Sequence, residues 1–199
     1  MPPARFLVAP VDAPRFLAAL PTAASASPLL TENGVAVPVG ATVQATSIGI
    51  PLRTTSIGSD ECKRSVMHGN VTANTGSQIS IEVSSFYLEC VSSSGFFTMQ
   101  GQGLPWCWKT TKSDSFELRG GKCSEAAKSL TLLWSTESTS CSFTRTALTG
   151  TFKTSPEEAV MTLLDQEFAV ESGFCQPFKL DINYSMETAI SPFTTLTIS

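Results

Sequence analysis

One block of this chain occurs twice, and that duplication limits the possible folds more than any single motif does. The first copy runs from Cys62 to Gly69, which opens a Gly-Asn-Val-Thr strand. It continues through the alternating run Ile79 to Leu88 and closes at Cys90. The second runs from Cys141 to Gly150, which opens Gly-Thr-Phe-Lys. It continues through an apolar stretch from Ala159 to Val170 and closes at Cys175. Each copy is expected to be one supersecondary unit stacked on its twin.

Six cysteines in 199 residues point to an oxidising compartment unless a metal accounts for them. There is no C-x-x-C, and His68 is the sole histidine, so no metal site and no cofactor is expected. Six cysteines allow many pairings. The repeat favours Cys62 with Cys90 and Cys141 with Cys175, which leaves Cys107 and Cys123 for each other across a hairpin. Each bond would close a loop of a few tens of residues and contribute on the order of 2–4 kcal/mol.

At the N-terminus, Ala24-Ser25-Ala26 has the form of a cleavage signal, preceded by Arg15 and the apolar run Phe16 to Leu20. Pro10, Asp12 and Pro14 interrupt the stretch before it. The reading is a signal peptide or disordered leader over 1–26, a linker or arm over 27–34, and a single β domain over 35–199. No later segment is long and apolar enough to span a membrane as a helix. The net charge of −4, with no basic cluster beyond Lys63-Arg64, gives no reason to expect nucleic-acid binding. A secreted or cell-surface location is expected, with an extracellular ligand or cell-envelope component as partner.

Strands dominate the pattern. Ser and Thr supply about a quarter of the residues, a load that suits exposed strand faces and turns. From Phe178 to Glu187 apolar and polar residues alternate strictly, as on a sheet with one wet face. In Gln78 to Cys90, Ile79, Ile81 and Val83 share one parity, whereas Phe86, Leu88 and Cys90 share the other. A β-bulge at Ser84-Ser85 would return all six to the core. Ser155-Pro156-Glu157-Glu158 reads locally as a helix start, but its place in the repeat assigns residues 155–168 to a strand. Many short strands separated by Gly-containing turns predict an all-β, disulfide-stapled antiparallel sandwich or flattened barrel made of two pseudo-repeats.

Val39-Gly40-Ala41-Thr42, Cys62 with Gly69, Gly103-Leu104-Pro105-Trp106, and Cys141 with Leu148-Thr149-Gly150 together resemble a family of uncharacterised secreted β-proteins from actinobacteria. The likeness spans roughly residues 37 to 190. Met67-His68-Gly69 stands where the family has Leu-Thr-Gly, and the Cys107 and Cys123 pair is an addition. The resemblance implies secretion and a β-fold, and it supplies no catalytic residues.

The strongest candidate for a binding site is Gly101 to Trp108. Trp106 and Trp108 share a strand face, with Cys107 on the other and Leu104 nearby. If exposed, the two indoles would form an aromatic platform for sugars or a protein partner. If buried, they would fill the core beside Phe96, Phe97 and Trp134, the arrangement that large apolar side chains usually adopt. His68 oriented by Asp60 could in principle serve a hydrolase, but no G-x-S-x-G elbow accompanies it. Asp165 and Glu167 would share a strand face too closely to bracket a glycosidic bond, which favours a solvated surface. Asn70-Val71-Thr72 and Asn183-Tyr184-Ser185 match the glycosylation pattern but lie within strands. The expected function is an exported, non-enzymatic binding or surface-structural protein. The alternative is a secreted hydrolase acting on a carbohydrate or ester.

Overall fold

The structure, a computed structural model, describes residues 29–92, 95–112, 114–136, 139–154, 159–188 and 196–198. The leader expected over 1–26 lies outside the described residues, as does the helix-like start at 155–158. The fold is all-β, and it takes the barrel form of the two expected.

Five long strands make most of the wall: β3 (Thr42–Thr55), β4 (Gly58–Thr75), β5 (Gln78–Ser92), β12 (Ala159–Ser172) and β13 (Phe178–Thr188). Six shorter ones complete it: β6 (Gly95–Gln102), β7 (Trp106–Lys112), β8 (Ser115–Gly120), β9 (Leu130–Ser135), β10 (Ser140–Arg145) and β11 (Ala147–Thr154). The registers show that these six form three broken strands. β6 and β7 both pair antiparallel with β5, at Tyr87–Ser92 and Ser80–Val83 respectively. β9 pairs with β6, and β8 with β7. β10 and β11 both pair with β12, while β13 returns to β3 and closes the ring. Followed in chain order, the wall is an eight-stranded up-and-down antiparallel barrel, which leaves no free sheet edge.

The breaks have local causes. Between β6 and β7 lie Gly103, at φ 63°, and Pro105. Proline has no N–H to give to a ladder. Between β8 and β9 the chain leaves the wall at Gly120 and Gly121 and returns at Leu130. Bulges adjust the long strands. Ser85 pairs with His68 and Val83 with Gly69, so Ser84 is the extra residue. Ile79, Ile81, Val83, Phe86, Leu88 and Cys90 are all buried, as the change of parity required. β3 carries a larger bulge around Gly49-Ile50-Pro51.

Inward side chains fill the barrel. Trp106 lies against Phe86, Trp108 against Phe116, and Phe178 between Phe143 and Phe168. An apolar void of about 20 Å³ beside Trp108, Met161 and Met186 is large enough for roughly one water. Apolar interior and polar exterior are the reverse of the arrangement in an outer-membrane barrel. Among the described residues no helix is long and apolar enough to cross a membrane.

One end of the barrel is covered by a small sheet in the order β14 (Leu196–Ile198), β1 (Leu30–Glu32), β2 (Val35–Ala36). Asn33 and Gly34, both at positive φ, turn β1 into β2. The Asn74 side chain ties this cap to β4. Its Oδ1 accepts from Leu30 N, and its Nδ2 donates to the carbonyls of Leu30 and Val37, each at 2.8 Å. Within the stretch expected as a linker or arm, Leu30–Glu32 is a strand and Asn33-Gly34 a turn.

The disulfides are Cys62–Cys90, Cys107–Cys123 and Cys141–Cys175, the pairing favoured by the sequence. The first joins directly paired residues of β4 and β5. The second pins the loop after β8 onto the outer wall. The third ties β10 to the connection between β12 and β13.

Candidate functional site

The end of the barrel away from the cap is built from the β3–β4 turn, the start of β6, the end of β9 and the loop that follows β12. Thr55 pairs with Gly58 across that tight turn, and the register then sets Arg53 opposite Asp60. The Arg53 side chain turns inward and lies over two core rings, 5.0 Å from the centroid of Phe178 and 5.4 Å from that of Phe97. Its Nη1 is paired with Asp60 Oδ2. Both side chains are mostly buried, with 12% and 20% of their surface exposed. A guanidinium held between aromatic faces and a carboxylate has little freedom left.

Trp134 on β9 stands beside Phe97, ring centroids 5.9 Å apart. The Cys141–Cys175 bond holds the next residue, Gln176, at the rim, where its Oε1 accepts from Ser56 Oγ at 2.7 Å. Together Arg53, Ser59, Asp60, Phe97, Trp134 and Gln176 line an open cavity of about 410 Å³. That is within the size range of small-molecule sites. Two N–H groups of its wall, Arg53 Nε and Trp134 Nε1, are buried without a hydrogen-bond partner among the described residues. Buried donors are nearly always satisfied, so such a pair is a feature to be explained.

Of the two arrangements open to Trp106 and Trp108, the buried one is found. Trp106 and Trp108 are 1% and 2% exposed and lie inside the barrel, with Phe86 and Phe116 as ring neighbours in place of Phe96, Phe97 and Trp134. Their shared face is the inner one, because every apolar residue of that parity on β7 and its neighbours faces the core. Leu104 is half-buried at the break between β6 and β7. Cys107 faces the outer side, as the alternation requires, and is covered by the loop carrying Cys123.

The remaining candidates do not converge. His68 pairs with Gln44 and Ser85 midway along β4, while Asp60 is engaged by Arg53 at the mouth. Asp165 and Glu167 are both exposed. Asp165 sits in a bulge at φ 57° and is paired with Lys179 at 2.9 Å, which holds that ammonium above the ordinary lysine range. Asn70 and Asn183 are exposed, and each accepts a hydrogen bond from a neighbouring threonine, Thr42 and Thr162.

Arg53 was not expected at a site, and Trp134 was expected only as a core neighbour of the other tryptophans. A signal for the first was present: Arg53 and Asp60 flank a short turn at positions that pair across it, so an inward charge would find an inward partner. No family model, no curated protein and no solved structure matches this chain.

Proposed function

We propose that this chain is an exported, non-enzymatic binding protein whose ligand sits in the open mouth of the barrel. The observation that carries the reading is the cavity above the core. It is concave, walled by aromatic rings, and furnished with a fixed Arg53–Asp60 pair. Pockets that combine apolar walls with a few convergent polar groups are the usual form of a ligand site. Three disulfides suit a protein that works outside the reducing cytosol.

The hydrolase alternative has less support. Asp60 is the acid among the residues lining the mouth, and it is committed to Arg53. Glycoside hydrolysis needs two carboxyls bracketing the bond, and an ester hydrolase needs a nucleophile with its base in reach.

Two measurements test the proposal. Peptide mapping of protein secreted by its native host should give a mature start at Ser27, with all three disulfides formed. A small-molecule screen read by thermal shift should give ligands that raise Tm and perturb Trp134 fluorescence, and Trp134→Phe should abolish the optical signal. An intact Met1 with free thiols would overturn export. Turnover of nitrophenyl esters or glycosides that Asp60→Asn removes would favour the enzyme.

A further inference from the structure

We infer that the outer face of β3 is an interface between two copies of this chain. They form a two-fold dimer in which the two β3 strands run antiparallel across the contact, with Ile50 of each copy on the axis. The inference is independent of what the mouth binds.

Along β3, Val43, Ala45 and Pro51 are buried and Arg53 turns inward. The outward positions are therefore Thr42, Gln44, Thr46, Ile48, Ile50, Leu52 and Thr54. The run changes from polar to apolar for three successive places. Ile48 and Leu52 are each 40% exposed and Ile50 is 62% exposed. Single apolar side chains on a surface are ordinary, whereas a continuous run on the wet face of a wall marks a contact surface. The bulge adds to the exposure. Between Ile48 and Leu52, β3 has two residues more than β13, and Ile50 has no register partner on β13 or β4.

The groups on either side of the run select a second copy as the occupant. On β13, Asn183 is level with Ile48 and Asp181 with Leu52. On β4, Glu61 is level with Leu52, and Arg64 lies toward Ile48, because its neighbour Ser65 donates its N–H to Ser47 Oγ at 2.9 Å. A two-fold axis through Ile50, lying in the face and perpendicular to β3, stacks Ile48 on the partner's Leu52. The same operation sets Arg64 against the partner's Glu61, and Asn183 against the partner's Asp181. An isologous contact needs this kind of self-complementarity. An axis parallel to β3 would instead bring Glu61 onto the partner's Asp181, carboxylate against carboxylate.

The flanking groups are free to make these contacts. Glu61 and Arg64 are exposed, and neither has an ion-pair partner among the described residues. Lys63, the other cation here, lies over the Phe96 ring instead. Asn183 uses its Oδ1 to accept from Thr162 and keeps its amide hydrogens to donate. Asp181 uses Oδ1 to accept from Asp165 N and keeps Oδ2 to accept.

Sedimentation velocity on the full chain, disulfides intact, from micromolar to millimolar concentration tests the proposal. The mean mass should rise from one chain to two and stop there, because a two-fold contact closes. Ile50→Asp puts two carboxylates on the axis and should remain monomeric throughout, with Tm of the monomer close to wild type. Glu61→Arg should weaken dimerisation by about tenfold or more. Glu61 is in register with Leu52 and Val91, so its reversal breaks no ion pair within the chain. Glu61→Arg combined with Arg64→Glu restores opposite charges across the axis and should recover the dimer, a rescue that a merely structural defect would not show. A wild-type chain that stays monomeric overturns the proposal, as does growth beyond two chains or a dimer indifferent to Ile50→Asp. A charge swap that fails to recover the dimer overturns this two-fold arrangement.

Discussion

The phenol of Tyr184 is hydrogen-bonded to Ser65 inside the barrel, Oη to Oγ at 2.6 Å, and both residues are fully buried. Ser65 gives its own hydrogen to the carbonyl of Tyr87 at 3.2 Å, so Tyr184 is the donor of the shorter bond. Burial pushes the Tyr184 phenol well above the ordinary tyrosine range. Below a pH of about 10, both folded and unfolded states keep the proton and Tyr184 contributes no slope. Above it the unfolded state releases the proton while the folded state retains it. Stability should then fall by about 1.4 kcal/mol per pH unit. Urea unfolding on either side of that pH should show this alkaline slope, and Tyr184→Phe should flatten it. An unchanged slope in the variant would assign the alkaline loss to another group.

Gly150 permits no side chain. A Cβ there would lie 2.4 Å from the carbonyl oxygen of Thr162 and 2.5 Å from Cζ of Phe116. At Gly69 the corresponding contacts are 2.7 Å to Glu82 O and to Ile81 Cγ2. Gly150→Ala and Gly69→Ala should each lower stability by about 1–3 kcal/mol through overpacking, read as a shift in denaturation midpoint at constant m-value. A stabilised alanine variant at either site would contradict this packing.

Much of the wall was legible in the sequence, because parity along a strand survives folding. The slip at Ser84 and the alternation from Phe178 to Met186 could be read directly, and at 159–168 the strand prevailed over the helix-like lead-in. Parity says which residues share a face and not which face is inner, and Trp106 and Trp108 illustrate that limit. The three broken strands were opaque for a related reason. Gly103 to Pro105 reads as a turn, yet here it joins two collinear halves that pair with different parts of β5. The mouth was hidden more deeply, since Arg53, Phe97 and Trp134 come together only once the ring closes.

Asn74 holds the cap with three hydrogen bonds to the backbone of the first described strand and the residue after β2. Asn74→Ala would leave Leu30 N and two carbonyls without that partner, a loss of about 1–3 kcal/mol for each group that remains buried. Hydrogen exchange should accelerate over residues 30–37 while the barrel strands keep their protection. Uniform acceleration would show that cap and barrel open as one unit.

The Cys107–Cys123 bond spans 16 residues and fastens the loop after β8 to the wall, where Glu82 Oε1 also accepts from Cys123 N at 3.1 Å. The double replacement Cys107→Ser with Cys123→Ser should cost about 3 kcal/mol. It should also open the segment from Gly121 to Ser129 to proteolysis. Equal protease resistance in the two proteins would mean that Glu82, together with Arg119 Nη2 donating to the carbonyls of Cys123 and Glu125, holds the loop without the disulfide.

The Arg53–Asp60 pair separates stability from binding. Both groups leave most of their hydration behind, and Arg53 Nε finds no acceptor among the described residues, so the pair is a poor source of folding energy. Asp60→Ala strands a buried guanidinium between Phe97 and Phe178 and should cost about 3–5 kcal/mol. Arg53→Met with Asp60→Leu removes both charges while keeping their bulk, and should fold within about 1 kcal/mol of wild type. Denaturant midpoints of the two variants distinguish these cases, because the combined variant should be more stable than Asp60→Ala alone. If it is, the pair is dispensable for folding, and the reason for an ion pair at the mouth must be found in what the mouth binds. The combined variant should then fold normally and take up no ligand there. A combined variant as unstable as Asp60→Ala would instead make the pair a structural element of the barrel end.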